Sequence, residues 1–268
     1  MSDVTRMIIS FLALVVAVIA VHVLYIGYIR PEAALVIEAA RQAGQSAPRD
    51  LVVILKDYEQ EICLILMVWG IFLILSKCFE ILRHRYLFTV DLLETPASGT
   101  KDEDEPNDRP SDLKSVLSSL EALPSKIHET PLVRILMTSL RRFIITNDVQ
   151  NTSDAIESGI EALATKQEAE NSMVRYLIWA IPSIGFIGTV RGIGQALSQA
   201  DQALAGDIAG MTDSLGVAFN STLVALLISI GLMFLLNQLQ RLQDGLIVDT
   251  QDYCETFLLN RISSGDDR

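Results

Sequence analysis

The sequence predicts an all-α, polytopic membrane protein with four transmembrane helices and long cytoplasmic helical extensions. Three observations predict it. Half of the 268 residues are apolar and only 20% are charged, with a mean hydropathy of +0.36. Four apolar stretches reach the roughly 20 residues that a helix needs to cross a bilayer. No stretch of any length alternates apolar and polar residues as a strand would. The 21 Lys+Arg against 33 Asp+Glu leave a formal charge of −12. That balance argues against a nucleic-acid partner, whose phosphates are bound mainly through basic residues.

The first span, Met7 to Ile29, is long and has no small-residue cleavage site, so residues 1–29 read as a retained helix and not a signal peptide. Residues 30–61 form a loop on the far side. The second span occupies residues 62–82, the third 176–197 and the fourth 215–236, the last two being richer in Gly, Ser and Thr. Lys77, Arg83, His84 and Arg85 cluster at the end of the second span and Arg241 follows the fourth, whereas Gln199 to Met211 holds Asp201 and Asp207 with no Lys or Arg. Basic residues favour the cytoplasmic side. The termini and residues 83–174 are therefore expected inside and residues 30–61 outside, although that outer loop carries Arg30, Arg41, Arg49 and Lys56 beside six acids.

Residues 83–125 open with an acidic, Pro-containing linker, TPASGTKDEDEPNDRPSD, which reads as a solvated tether. Leu113 to Leu123, and then Leu132, Ile135, Leu136, Leu140, Phe143 and Ile144, recur at helical spacing. Ser153, Asp154 and Glu157 mark a helix start, and no Pro follows before Pro182, which predicts one helix running into the third span. The fourth span continues without Pro through Asn237 to Ile262 and projects into the cytoplasm; a long tail beyond it is not expected.

In the third span Pro182, Gly185, Gly188, Thr189, Gly192 and Ala196 share a face, and in the fourth Ala218, Thr222, Ala225 and Ser229 do the same. Such small-residue stripes permit close helix packing, and a hydroxyl among them also suits a pore lining. In an antiparallel hairpin, residues at one depth have numbers summing to a constant. Thr189 and Thr222 share their sum with Arg191 and Asn220, so each pair is expected at one level. Arg191 reads either as snorkelling to a polar partner, with Asn220 and Asp213 nearby, or as holding a partner's carboxylate or screening cations. His22, which has no acid in its own span, reads as interfacial or packed on a neighbour. Glu61 and Glu80 lie near span ends, so no span carries a buried carboxylate of its own. The three cysteines, Cys63, Cys78 and Cys254, form no CxxC or Cys/His cluster and read as apolar fillers. No metal site, cofactor or enzymatic nucleophile is expected; GTVRGIG lies inside a span and not after a strand.

AIPSIGFIGTVRGIGQAL and SLGVAFNSTLVALLISI resemble the paired motifs of the MotA/TolQ/ExbB proton channel family, over roughly Lys126 to Leu242. The four-span layout is similar to the flagellar MotA branch, and the GTV wording to TolQ and ExbB. The resemblance implies a proton-channel domain at 126–242 followed by a helical extension at 243–268. It implies Thr189 and Thr222 as pore hydroxyls, with Gly185, Gly188 and Gly192 as packing positions beside them. The helix faces and the depth sums add Ser229, Arg191 and Asn220 to the candidate ion pathway and Ala196, Ala218 and Ala225 to the packing positions. It also implies a homo-oligomeric ring, five-fold in the family's known examples, in a bacterial inner membrane with both termini cytoplasmic. The ring surrounds two ExbD/TolR/MotB-like single-span subunits, each of which supplies a membrane Asp. The sequence departs from the family pattern at Val217, where TolQ and ExbB carry a carboxylate, and at Arg191, which replaces a bulky apolar residue. The function implied is a stator-type subunit coupling ion-motive force to work such as transport across, or maintenance of, the envelope. The rival reading is a non-conducting membrane scaffold. Proton and sodium both stay open as the ion.

Overall fold

The computed structural model describes residues 3–42, 50–85, 109–128 and 130–259. Among them every regular element is helical, and four helical segments are long and apolar enough to cross a membrane: Val4–Ala40, Tyr58–Arg83, Val149–Ser198 and Ala209–Thr256. The all-α, four-span class expected from the sequence is borne out. Most of the acidic linker lies outside the described residues.

The helices are α1 (Asp3–Leu24), α2 (Arg30–Gln42), α3 (Leu51–Leu55), α4 (Tyr58–Arg85), α5 (Arg109–Glu121), α6 (Ser125–His128), α7 (Pro131–Thr146), α8 (Val149–Glu170), α9 (Ser172–Ser198), α10 (Ala200–Leu204) and α11 (Ala209–Tyr253). They divide between two compact units, one from Met1–Ser76 with Asn171–Gln238, the other from Lys77–Glu170 with Leu239–Arg268.

In the first unit, α1 continues as a π-helical turn, Tyr25–Ile29, in which the Arg30 amide donates to the Tyr25 carbonyl five residues back. Pro31 supplies the cause: it has no N–H for the Gly27 carbonyl and its ring crowds that turn, so the helix widens just before it. Helix then resumes as α2, placing helical backbone in the segment read as an outer loop. Trp69 on α4 donates from Nε1 to the Ser10 carbonyl at 3.0 Å and fastens α4 to α1. Large apolar side chains including Phe11, Trp179, Phe186, Phe219 and Phe234 point outward. That is the surface a helix bundle presents to lipid or to neighbouring apolar helices.

The second unit has a conventional core. Leu132, Ile135, Leu136 and Leu140 of α7, at the periodicity read from the sequence, pack with Val116 and Leu120 of α5, Ile156 and Leu163 of α8, and Tyr253. Gly159 lets α7 approach α8 closely, since a Cβ there would lie 3.1 Å from Ile135 Cγ1. α7 stops at Asn147, which adopts a left-handed φ of 50°, and Asp148 then caps α8 by accepting from the Gln150 amide at 2.9 Å. α8 therefore begins at Val149, ahead of the start read at Ser153. The expected run into the third span is present as the helical segment Val149–Ser198, marked by one turn residue, Asn171, between α8 and α9. Lys77 Nζ meets Glu170 at 2.8 Å.

Candidate functional site

The two motif-bearing helices, α9 and α11, form a hairpin through α10 and a turn in which Gly206 takes a φ of +103°. Their contact is made by residues without side-chain bulk. A Cβ on Gly185 would fall 2.5 Å from the Ala225 Cβ, and one on Gly192 would fall 2.6 Å from the Ala218 amide nitrogen. Both are closer than non-bonded atoms approach, so only glycine permits this separation. Ala196 and Ala218 are also buried along the seam. The small-residue stripes thus meet each other within one chain.

The close seam brings polar groups together. The Thr189 and Thr222 hydroxyls are hydrogen-bonded to one another across the hairpin. Thr189 Oγ1 also lies 3.0 Å from the Ala218 carbonyl, and Thr222 Oγ1 lies 3.3 Å from the Gly185 carbonyl. Two hydroxyls have only two protons, so at most two of these three contacts are hydrogen bonds at one time, and what remains on the oxygens is accepting capacity. Next to Thr222 in the chain, Ser221 donates to the Val217 carbonyl at 2.6 Å. Ser229 donates to the Ile178 carbonyl at 3.2 Å. Ile178 is the residue whose helical acceptor role Pro182, lacking an N–H, leaves unfilled.

Arg191 does not turn to Asn220, although the two share a depth sum. Two residues beyond Thr189, it points about 200° round the helix from the α11 seam, toward α4. There Nε and Nη2 donate to Glu59 Oε1 and Oε2 at 2.7 and 2.8 Å, with Asp57 Oδ1 at 3.9 Å. Lys56 holds Asp57 at 3.0 Å. Asn220 is half-buried and is not one of Arg191's partners.

The expectation that no span carries a buried carboxylate of its own is corrected here. Glu59 and Glu61, in the first turn of α4, are both buried. Glu61 is gripped by Arg30, and the His22 Nδ1 lies 2.6 Å from its Oε1. His22 therefore does have an acid partner, on another helix. Arg30 in turn stands over the Tyr58 ring at 4.4 Å. The sequence signal was present in the outer segment's own composition, where cations and acids are mixed; which would pair was not readable from it. Among the described residues, no group of three or more His, Cys, Asp or Glu is arranged to hold a metal ion.

Residues 127–252 match the model of the MotA/TolQ/ExbB proton channel family. The match covers α7, α8, α9, α10 and nearly all of α11, and it bears out the resemblance read from the two motifs. No curated protein and no solved structure matched the chain.

Proposed function

From that family region we propose a specific reading: this multi-pass membrane protein is the ring-forming subunit of a stator-type proton channel. It works with a single-span partner whose membrane Asp docks against the α9–α11 hairpin. The observation that supports it best is the Thr189–Thr222 pair, two hydroxyls fixed at one level by a glycine-tight seam. Their spare lone pairs accept a hydrogen bond from a protonated carboxyl group, and a small rotation of either hydroxyl offers a proton to a carboxylate. A carboxylate served in both states alternates between them at low cost, which is what a proton carrier requires. The ring is five-fold by resemblance to the family, lies in a bacterial inner membrane with both termini inside, and drives work on the envelope.

The experiment is co-purification with the product of a neighbouring gene that encodes one N-terminal span containing Asp, followed by proton flux in vesicles under an imposed pH gradient. Flux that requires both proteins is expected. A second reading, a non-conducting scaffold, is favoured by one observation: both hydroxyl protons already have acceptors inside the hairpin. Co-assembly without flux would establish it.

A further inference from the structure

Resting on the reading that protons pass along the α9–α11 hairpin, we propose that the Glu59–Arg191 pair sets the charge selectivity of that passage. Glu59 cancels a guanidinium that would otherwise repel the cation.

Thr189 and Arg191 are two residues apart on α9, so they differ in height by about 3 Å and lie on opposite sides of a helix about 10 Å across. A bare charge at roughly 10 Å, with an effective dielectric constant of about 20, lowers the occupancy of a nearby cation on the order of ten-fold. Fixed arginines exclude cations from pores in this way. Here the charge is matched. Glu59 is buried and takes both Nε and Nη2 in a fork that only a carboxylate on this turn supplies. Asp57 Oδ1 stands further off, 3.9 Å from Arg191 Nη2, and is held by Lys56 at 3.0 and 3.3 Å, while Glu61 is held by Arg30 and His22. Gly188 makes the approach possible, because a Cβ there would lie 3.1 Å from Glu59 Cγ and 2.5 Å from Ser221 Cβ. The stem of Glu59 and the Ser221 side chain thus meet over one glycine, beside the threonine pair.

The test uses the chain assembled with its single-span partner in vesicles, with proton entry followed by a trapped pH-sensitive dye. Glu59→Gln should slow proton flux about ten-fold with the oligomeric mass unchanged. The double variant Glu59→Gln with Arg191→Gln should conduct near the wild-type rate, and Arg191→Gln, which leaves Glu59 without its cation, should conduct no slower than wild type. Wild-type flux in Glu59→Gln, or a double variant as slow as Glu59→Gln, overturns the proposal. If Glu59→Gln does not assemble, Glu59→Ala decides: flux well below that of the double variant Glu59→Ala with Arg191→Gln supports the proposal, and equal flux in the two overturns it. Wild-type vesicles that conduct nothing would instead remove the conduction reading itself.

Discussion

Ser229 on α11 donates to the Ile178 carbonyl on α9, the acceptor that Pro182 leaves without a helical donor. A proline inside a membrane helix is tolerated when a neighbouring side chain satisfies the freed carbonyl. The hairpin contains that correction within one chain, so Pro182 and Ser229 form a unit although they sit on different helices.

Ser229→Ala should therefore destabilise the protein by about 1 kcal/mol, the ordinary worth of one hydrogen bond. In Pro182→Ala, where residue 182 regains its N–H, the same change should cost much less. Thermal unfolding of the four proteins in detergent measures the coupling. Additive losses would mean that Ser229 does not serve the carbonyl that Pro182 frees.

The seam itself is tested by two glycines on one helix. Gly192→Ala drives a methyl against the Ala218 backbone nitrogen, which cannot rotate away, whereas nothing lies within 4 Å of a Cβ on Gly194. Overpacking of this kind costs about 1–3 kcal/mol. Gly192→Ala should lower the unfolding temperature and the yield of monodisperse protein, and Gly194→Ala should change neither. Matching behaviour of the two variants would show that the α9–α11 approach is looser than its geometry.

The pairing of α9 with α11 was legible in the sequence because both faces are marked by small residues at helical spacing and the turn between them is short. Equal number sums then placed Thr189 opposite Thr222. The same arithmetic misplaced Arg191, because depth says nothing about direction round the helix, and two residues beyond Thr189 the side chain leaves the seam. Its partner lies 132 positions away on a helix whose rotation is set by packing, Cys63 and Ile74 inward and Phe72 and Phe79 outward, and not by any local pattern. α8 likewise started earlier than read because Asn147 and Asp148 act as stop and cap in direct succession.

The distribution of basic residues predicts that the α9–α11 turn faces away from the cytoplasm. Asp207→Cys should react with a membrane-impermeant thiol reagent added to intact cells, and Asp104→Cys should react only after permeabilisation. Native Cys63 and Cys254 are buried and contribute little background. Labelling of Asp104→Cys alone in intact cells would invert the topology.

Thr189 and Thr222 carry the mechanistic prediction. Valine keeps the shape of threonine and removes its hydroxyl, so Thr189→Val and Thr222→Val should leave the glycine seam and the assembled mass intact. Each single variant loses the bond between the two hydroxyls, and the survivor must satisfy itself on a backbone carbonyl: Gly185 or Ala218 for Thr189, and Gly185 for Thr222. The first substitution already abolishes the shared bond, so the double variant should cost less stability than the two singles summed. Flux should behave differently. A hydrogen bond to a charged group is worth about 1.5–3 kcal/mol, so if either hydroxyl serves the partner's carboxyl group, its loss slows the step that depends on it about ten-fold or more. The double variant, with no hydroxyl at that level, should be slower than either single. Unchanged flux in an assembled double variant would assign the threonines to the seam alone and favour the scaffold.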